Sequence, residues 1–176
     1  MKEKFIYYTK EILLFFLVIT IFANIISFYK SQELNKTPLN LQTIKLFNNT
    51  TYKVKTGEAL LVHFWATWCP TCKMEVDNIQ RISKHYNVLT FAVKSGSDYD
   101  IHQYMQERGL DFPVVNDKDG SFAQEFHINA YPTTFIYDRN HNLIFSEVGY
   151  TSSLGLYLRM LWASYFPQED HKQHPQ

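Results

Sequence analysis

The sequence predicts an α/β domain with a central mixed β-sheet flanked by helices, preceded by a β-hairpin and a single N-terminal transmembrane helix. Residues 59–65 and 88–93 are short, nearly continuous apolar runs, typical of strands buried on both faces, with an amphipathic pattern between them. A strand–helix–strand unit implies a right-handed crossover and a parallel pair. Residues 130–137 and 143–148 flank a polar turn, which predicts an antiparallel hairpin and so a mixed sheet.

Composition excludes several classes of protein. A chain of 176 residues suits one domain plus an appendage. Lys+Arg and Asp+Glu both number 17, so no bulk field attracts nucleic acid, and no nucleic-acid partner is expected. Aromatic residues make up 16% of the chain, enough for a real core. Two cysteines cannot staple a mini-protein or alone complete a four-ligand zinc site.

The amino terminus predicts a membrane anchor over residues 1–29. Residues 12–29 carry no charge, and about 18 helical residues span roughly 27 Å, close to the thickness of a bilayer core. A cleaved signal peptide is the alternative, but small residues at a cleavage spacing fit poorly there. Lysines flank both sides of the run, so the positive-inside count only weakly favours a cytoplasmic amino terminus.

The remaining boundaries follow from polarity. Residues 30–43 are polar and predict a tether, residues 44–166 the folded domain, and residues 167–176 a flexible tail. His171 and His174 lie in that tail, where two solvated histidines are more often inert than metal ligands.

The other elements are predicted from periodicity and turn residues. Ser97 is placed to cap a helix that Gly109 ends. The helix after Cys72 has an inward stripe of apolar residues at three- and four-residue steps. The inward stripe comprises Cys72, Val76, Ile79, Ile82 and Tyr86. The other predicted elements are a hairpin of 44–47 and 52–55, a short strand at 112–115, a short helix to about 127, a turn at 138–142 and a last helix at 152–165.

The Cys69-Pro70-Thr71-Cys72 motif carries the chemistry. At the first turn of a helix, unpaired backbone N–H groups and the positive dipole end face the Cys69 sulfur, which lowers its pKa and favours the thiolate. Pro70 suits that position because it has no N–H to lose. Cys72 lies one turn on and nearer the core. We therefore expect Cys69 to be the exposed nucleophile and Cys72 the resolving thiol.

Two other interpretations of the cysteine pair are weaker. Zinc would need two further ligands, and the chain has no third cysteine. A static disulfide across two residues closes too small a loop to stabilise the fold much. The strand before and the helix after the motif favour a redox centre.

The residues from 64 to 73, Phe-Trp-Ala-Thr-Trp-Cys-Pro-Thr-Cys-Lys, resemble the active-site signature of thioredoxin-fold proteins. The resemblance is greatest to the membrane-anchored TlpA/DsbE-like thiol–disulfide oxidoreductases of bacterial envelopes. Residues 93–97 and 112–117 resemble the suppressor-for-copper-sensitivity D (ScsD-like) branch in particular. The similarity covers roughly residues 40–162 and implies a thioredoxin-like fold with a redox-active disulfide between Cys69 and Cys72.

The resemblance also implies roles for nearby residues. It implies a cis peptide bond before Pro132, and pairing of the Tyr131 backbone with the substrate polypeptide as a short added strand. Trp68 is expected to pack beside the cysteines and, with Pro70, to shape the docking surface. Family members commonly carry an acidic residue where this chain has Glu75, one turn after Cys72.

Glu75 and His63 each leave two interpretations open. A partly buried Glu75 would have a raised pKa and exchange a proton with the inner thiol, whereas a solvated Glu75 would be inert. His63 stands six residues before Cys69, where thioredoxins usually carry a buried Asp. It either relays protons or, as the residues favour, is hydrogen-bonded within the core. Lys73 is expected to be solvated.

The predicted function is exchange of disulfides with envelope proteins, in the reducing direction. Pro70 and Thr71 bring no positive charge to stabilise the thiolate further, so the pair should be moderately reducing. No cofactor is expected. The resemblance implies oxidised envelope proteins as substrates and a transmembrane thiol transporter of the DsbD kind as electron donor. Because disulfides accumulate outside the cytoplasm, the domain is expected in the periplasm, anchored to a bacterial inner membrane.

Two alternative functions remain. A dedicated reductant for apocytochrome c, of the DsbE branch, shares the Pro-Thr dipeptide, but its Gly-rich approach to the cis-proline is replaced here by residues 129–131, Asn-Ala-Tyr. A copper-binding module using Cys69 and Cys72 is disfavoured, because copper-transfer domains usually place Met and Thr before the first Cys, where this chain has Thr67 and Trp68.

Overall fold

The computed structural model describes residues 42–167 and, nearer the amino terminus, residues 8, 10–15, 17–19, 21–22, 25, 27 and 34. The described residues between 8 and 27 are helical. Within everything that is described, no helix combines the length and the apolar character needed to cross a membrane. The rest of the predicted anchor, most of the tether and tail residues 168–176 lie outside the described residues.

The domain is a mixed five-stranded sheet in the order β5-β4-β3-β6-β7, with a separate β1–β2 hairpin. Strands β3, β4 and β5 are parallel, whereas β6 and β7 run antiparallel to their neighbours. This confirms the predicted α/β fold with a mixed sheet and flanking helices. The strands are β1 Thr43–Lys45, β2 Thr51–Lys53, β3 Leu60–Trp65, β4 Asn87–Val93, β5 Val114–Asp117, β6 Thr133–Tyr137 and β7 Leu143–Val148, and the helices are α1 Pro70–Ser83, α2 Asp98–Glu107, α3 Ser121–Glu125 and α4 Ser153–Tyr165.

Two strands begin later than predicted, and proline is the reason in both. The strand expected at 112–115 is β5, which starts at Val114, and the strand expected from 130 is β6, which starts at Thr133. Pro113 and Pro132 have no N–H to donate to a strand ladder, so regular pairing begins after each of them. The hairpin strands are also shorter than predicted, and α1 ends at Ser83, so Tyr86 lies beyond the helix.

Strand β3 divides the core into two faces. Leu61 and Trp65 pack on the side covered by α1, α2 and α4, which also holds Cys69 and Cys72, and we call this side the thiol face. The opposite side, which we call the aromatic face, surrounds a cluster of phenylalanine rings with aliphatic side chains. Phe64 stacks on Phe91 with ring centroids 4.7 Å apart. The predicted alternation of β3 side chains is therefore confirmed.

Candidate active site

Cys69 is the N-cap residue of helix α1, directly after the loop that follows β3. Its sulfur accepts a hydrogen bond from the Cys72 backbone N–H at 3.2 Å, and Pro70 occupies the first helical position. No acidic residue lies in the first turn of α1. The amide and the positive helix end both favour a negative charge on the Cys69 sulfur, as the sequence predicted. The two cysteines are joined in a disulfide, with Cα atoms 5.3 Å apart.

The cysteines are more buried than expected. Cys69 is 5% exposed and Cys72 is 2% exposed. Cys69 is the more exposed of the two cysteines, as predicted. The expectation that Cys69 is exposed is wrong for this disulfide form. The sulfur of Cys69 is drawn toward the first turn of α1 by its bonds to Cys72 and is flanked by the Tyr131 carbonyl, so only a small part of the residue contacts solvent.

The loop before β6 lies against the Cys69 sulfur. The peptide bond between Tyr131 and Pro132 is cis, which confirms that prediction. The Tyr131 carbonyl oxygen is 3.7 Å from the Cys69 sulfur, while Pro132 is buried beneath. The Tyr131 backbone therefore lies where a polypeptide joined to Cys69 would have to pass.

Trp68 and Tyr131 form an aromatic rim beside the sulfur. The two rings meet edge to face with centroids 5.6 Å apart, and Trp68 is 55% exposed. The Trp68 indole N–H donates to the Lys94 carbonyl at 3.1 Å, which holds the ring in place although its face is open to solvent. Pro70 is exposed next to it. The structure thus brings Trp68, Pro70, Tyr131 and Pro132 together around Cys69, and Lys73 is exposed as expected.

Glu75 is completely buried, with an exposed fraction of 0%. One carboxyl oxygen, Oε1, accepts the backbone N–H of Thr151 at 3.0 Å. The other, Oε2, has no hydrogen-bond partner among the residues that the structure describes. Burial raises the pKa of Glu75 to about 8, the Thr151 amide opposes that rise, and the charge of Glu147 adds to it. The interpretation of Glu75 as a solvated helix residue is therefore wrong, and in this disulfide form the carboxyl is protonated at neutral pH.

An ion pair lies behind Glu75. Glu147 in β7 and Arg159 in α4 approach to 2.5 Å, with about a quarter of each side chain exposed. The Thr151 hydroxyl donates to Glu147 at 3.3 Å, so Thr151 contacts both acidic side chains. This group was not predicted, because no local motif marks it and only the fold brings residues 147–159 against α1.

His63 is buried in the middle of β3. The register of the sheet sets it directly opposite Thr134, and its Nδ1 lies 2.9 Å from the Thr134 hydroxyl oxygen. Burial lowers the pKa of His63 to about 3, so the ring is neutral throughout the ordinary pH range. The interpretation of His63 as a hydrogen-bonded core residue is confirmed.

Comparison with known proteins also indicates a thiol–disulfide oxidoreductase. The AhpC/TSA family model matches residues 32–146. A thioredoxin-like protein of Haemophilus influenzae is 28% identical over 86% of this chain and 92% of its own length. The thiol-disulfide oxidoreductase ResA of Bacillus subtilis is 34% identical over 46% of this chain, and the thiol:disulfide interchange protein DsbE of H. influenzae is 32% identical over 53%. The chain spans about half the length of these last two relatives.

Solved structures support the fold. A putative thioredoxin from Neisseria meningitidis matches with a TM-score of 0.63 at 23% identity, covering 80% of this chain and 99% of the other. StoA from B. subtilis matches with a TM-score of 0.61 at 21% identity, covering 73% and 98%. With its cysteine pair at the helix start and the family match over most of the domain, the chain belongs to the AhpC/TSA family, among its ResA- and DsbE-like thiol–disulfide oxidoreductases of the thioredoxin fold.

Proposed function

We propose that this protein is an envelope reductase of the ScsD-like branch. It is held by residues 1–29 in a bacterial inner membrane, with residues 44–166 in the periplasm. The observation that carries the proposed chemistry is the Cys69 sulfur, which accepts the Cys72 amide at the start of α1 and lies 3.7 Å from the Tyr131 carbonyl. A stabilised thiolate and a backbone ready to pair with a polypeptide are the two features that protein disulfide exchange needs.

In the reducing half-reaction, the Cys69 thiolate attacks a disulfide sulfur of the substrate. A mixed disulfide forms, and the other substrate sulfur leaves as a thiolate. The Cys72 thiol then gives its proton to the Glu75 carboxylate and attacks the Cys69 sulfur, which releases the second substrate thiolate. Two electrons pass to the substrate, and the Cys69–Cys72 disulfide remains.

The recharging half-reaction runs through the form described here. A donor thiolate attacks the Cys69 sulfur of the disulfide, and Cys72 leaves as a thiolate that takes the proton of Glu75. A second donor thiolate then frees Cys69, and the donor becomes the disulfide. The pKa of about 8 at Glu75 supports this order of events, because it keeps the carboxyl protonated while the cysteines are oxidised.

The electron donor we propose is a transmembrane thiol transporter of the DsbD kind, and the substrates are oxidised envelope proteins. Trapping tests both partners. Cys72→Ala leaves Cys69 able to attack but removes the thiol that resolves the mixed disulfide. In bacterial membranes carrying the full chain, we expect Cys72→Ala to accumulate mixed disulfides that mass spectrometry identifies, and Cys69→Ala, the matched control, to accumulate none. Equal trapping by both variants, or none by Cys72→Ala, would contradict the proposal.

Reduction of apocytochrome c is a second candidate, favoured by the match to DsbE of H. influenzae. A direct comparison separates the two. The full chain in detergent is given either oxidised insulin or an oxidised apocytochrome c peptide containing Cys-x-x-Cys-His. A general reductase should reduce both at similar rates, whereas a dedicated cytochrome reductant should prefer the haem-site peptide by tenfold or more.

A further inference from the structure

Helix α4 is apolar on two opposite sides. Leu156, Met160 and Ala163 point into the core of the thiol face. A second row, which we call the α4 stripe, faces away from the core at three- and four-residue spacing. It comprises Leu154, Leu158, Leu161, Trp162 and Tyr165, with exposed fractions of 69%, 59%, 47%, 52% and 70%.

This pattern is unusual for a surface helix. Outward positions of a soluble helix are ordinarily polar, and a helix that is apolar all round is ordinarily covered. The single charged residue of α4 is Arg159, which pairs with Glu147 and does not break the stripe. A continuous row of large apolar side chains of this kind marks an interaction surface.

We propose that the α4 stripe docks on the interfacial layer of the membrane that holds the chain. The stripe has the composition of an interfacial helix. Leucines recur along it up to Leu161, and Trp162, Tyr165 and the adjoining, 59% exposed Phe166 lie toward its end. Trp and Tyr suit that layer because their rings are apolar and their N–H or O–H groups reach water. This proposal rests on the membrane anchor of the proposed function.

The path of the chain supports this occupant. Ser27, which belongs to the apolar run 12–29, lies near the start of α4, since the Val148 backbone N–H donates to the Ser27 hydroxyl at 3.1 Å. Val148 is the last residue of β7, and α4 begins five residues later at Ser153. An anchor that leaves the bilayer at this point brings the first turn of the stripe to the membrane surface.

Positively charged side chains at the carboxyl end of α4 also support docking on a membrane. Tyr165, the last residue of the stripe, lines a cavity of about 570 Å³ together with Lys55, Lys84 and Arg139. The lining also contains one acidic residue, Glu58, which pairs with Lys55, while Lys84 pairs with Asp111. The balance of these groups is positive, which favours a membrane with anionic headgroups.

Docking along α4 would also fix the orientation of the redox centre relative to the membrane. The helix starts beside the Glu75 contact of Thr151 and runs to the end of the sheet where β3 and β4 begin, because Tyr165 shares its cavity with Ala59 and Asn87. With α4 flat on the bilayer, the strands lie parallel to it, and the Cys69 end of the sheet faces sideways. Partners would then be met alongside the membrane.

Tryptophan fluorescence tests the proposal in the full chain. The protein is placed in nanodiscs of phosphatidylethanolamine and phosphatidylglycerol, with and without lipids brominated near the headgroup. Trp65 is buried and Trp68 lies on the redox rim, so Trp162 is the tryptophan that the bilayer should quench. We expect quenching by the brominated lipid to be lost in Trp162→Phe and kept in the matched control Trp68→Phe.

A second variant tests the stripe without removing the reporter. Leu158→Lys changes a side chain that is 59% exposed, so it should leave the circular dichroism and the melting temperature near wild type while reducing the quenching of Trp162. Quenching that persists unchanged in Leu158→Lys would overturn the proposal. So would protection of Trp162 from aqueous iodide in a cross-linked dimer, which would show that a second copy covers the stripe.

Different results would contradict the membrane anchor and the docking of the α4 stripe. A chain that co-purifies with the discs but shows no quenching of Trp162 supports the anchor and overturns docking. A chain that does not enter the discs contradicts the anchor, and the quenching of Trp162 is then measured on brominated phosphatidylglycerol vesicles added to the chain. Quenching there supports the stripe on its own, and its absence overturns it.

Discussion

The two faces of the sheet bury different kinds of side chain. On the aromatic face, Phe64 lies 4.7 Å from Phe91 and 5.0 Å from Phe126, ring centroid to ring centroid. On the thiol face, the same sheet buries His63 and Thr134, and α1 brings a carboxyl group, Glu75, into the interior. Both faces are packed with apolar residues, and the aromatic face also buries Thr133 and Asp117, but the thiol face is the one that buries a carboxyl group, Glu75, on the helix that carries the cysteines.

This difference indicates that the two faces have different parts in stability and in proton exchange. Apolar packing is insensitive to pH, whereas a buried carboxyl group changes its charge within the ordinary pH range when its pKa is shifted by burial. We infer that the aromatic face holds the sheet in place and that the thiol face tunes proton exchange beside the cysteines. Four predictions test this division, and the later ones concern smaller effects.

Phe64→Ala on the aromatic face should reduce the free energy of unfolding by about 3–5 kcal/mol, because it leaves a cavity among packed rings. The loss should be the same at pH 5 and pH 8, since burial raises the pKa of Tyr137, the titratable ring of that cluster, and the ring is neutral at both pH values. Urea unfolding at the two pH values measures it. A loss that differed strongly between them would show that the faces are coupled.

Glu75→Gln should remove a pH dependence of stability. In the disulfide form burial raises the pKa of Glu75 from its ordinary value of 4.5 to about 8, so the folded state binds more protons than the unfolded state between these values. The stability contribution of Glu75 is therefore fully present below pH 4.5 and is lost as pH rises to 8, by at most about 5 kcal/mol.

We expect this part of the slope to disappear in Glu75→Gln, as measured by urea unfolding of the oxidised protein across that range. The same variant should slow recharging of the disulfide by roughly a hundredfold, because Cys72 then leaves without a proton donor. An unchanged rate with a flattened stability profile would assign Glu75 a structural part only.

Thr134→Val should reduce stability by about 1–2 kcal/mol, because it leaves the buried Nδ1 of His63 without its partner at the same side-chain volume. The double change with His63→Leu should cost less than the sum of the two single changes, since neither partner is then left unpaired. Additive losses in this double-mutant cycle would show that the 2.9 Å contact contributes nothing.

Glu147→Gln and Arg159→Gln form a matched pair with opposite expected effects on the pKa of Glu75. The negative charge of Glu147 raises that pKa, so its removal should lower the pKa, whereas removal of Arg159 leaves Glu147 unneutralised and should raise it. Because both side chains are partly exposed, we expect shifts on the order of half a unit.

Infrared titration of the Glu75 carboxyl in the oxidised protein measures these shifts, with Glu75→Gln identifying the band. Shifts in the same direction in both variants would mean that the ion pair acts by holding β7 and α4 in place and has no direct electrostatic effect on Glu75.

Local chemistry was predictable from the sequence, and tertiary contacts were not. Ser97 caps α2 and Cys69 lies at the start of α1 as predicted, because helix starts depend on residues within one turn. Apolar periodicity located the strands, but Pro113 and Pro132 delayed two of them. The exposure of Cys69 was predicted wrongly, since its cover comes from a loop more than sixty residues away, at Tyr131.

Glu75 marks the limit of local inference most clearly. Its spacing from Cys72 made a role plausible, but its complete burial depends on Thr151, which lies 76 residues further along the chain. No periodicity within α1 distinguishes a buried carboxyl from a solvated one at the edge of the inward stripe. The Glu147–Arg159 pair was invisible for the same reason, because only the fold joins β7 to α4 at that point.

The single satisfied oxygen of Glu75 has a consequence for the conditions under which the protein works. With Oε1 held by the Thr151 amide and the pKa near 8, the carboxyl of the disulfide form carries its proton from acidic to neutral pH. The proton that the recharging step needs is therefore present at any external pH from acidic to neutral, and only an alkaline medium would remove it.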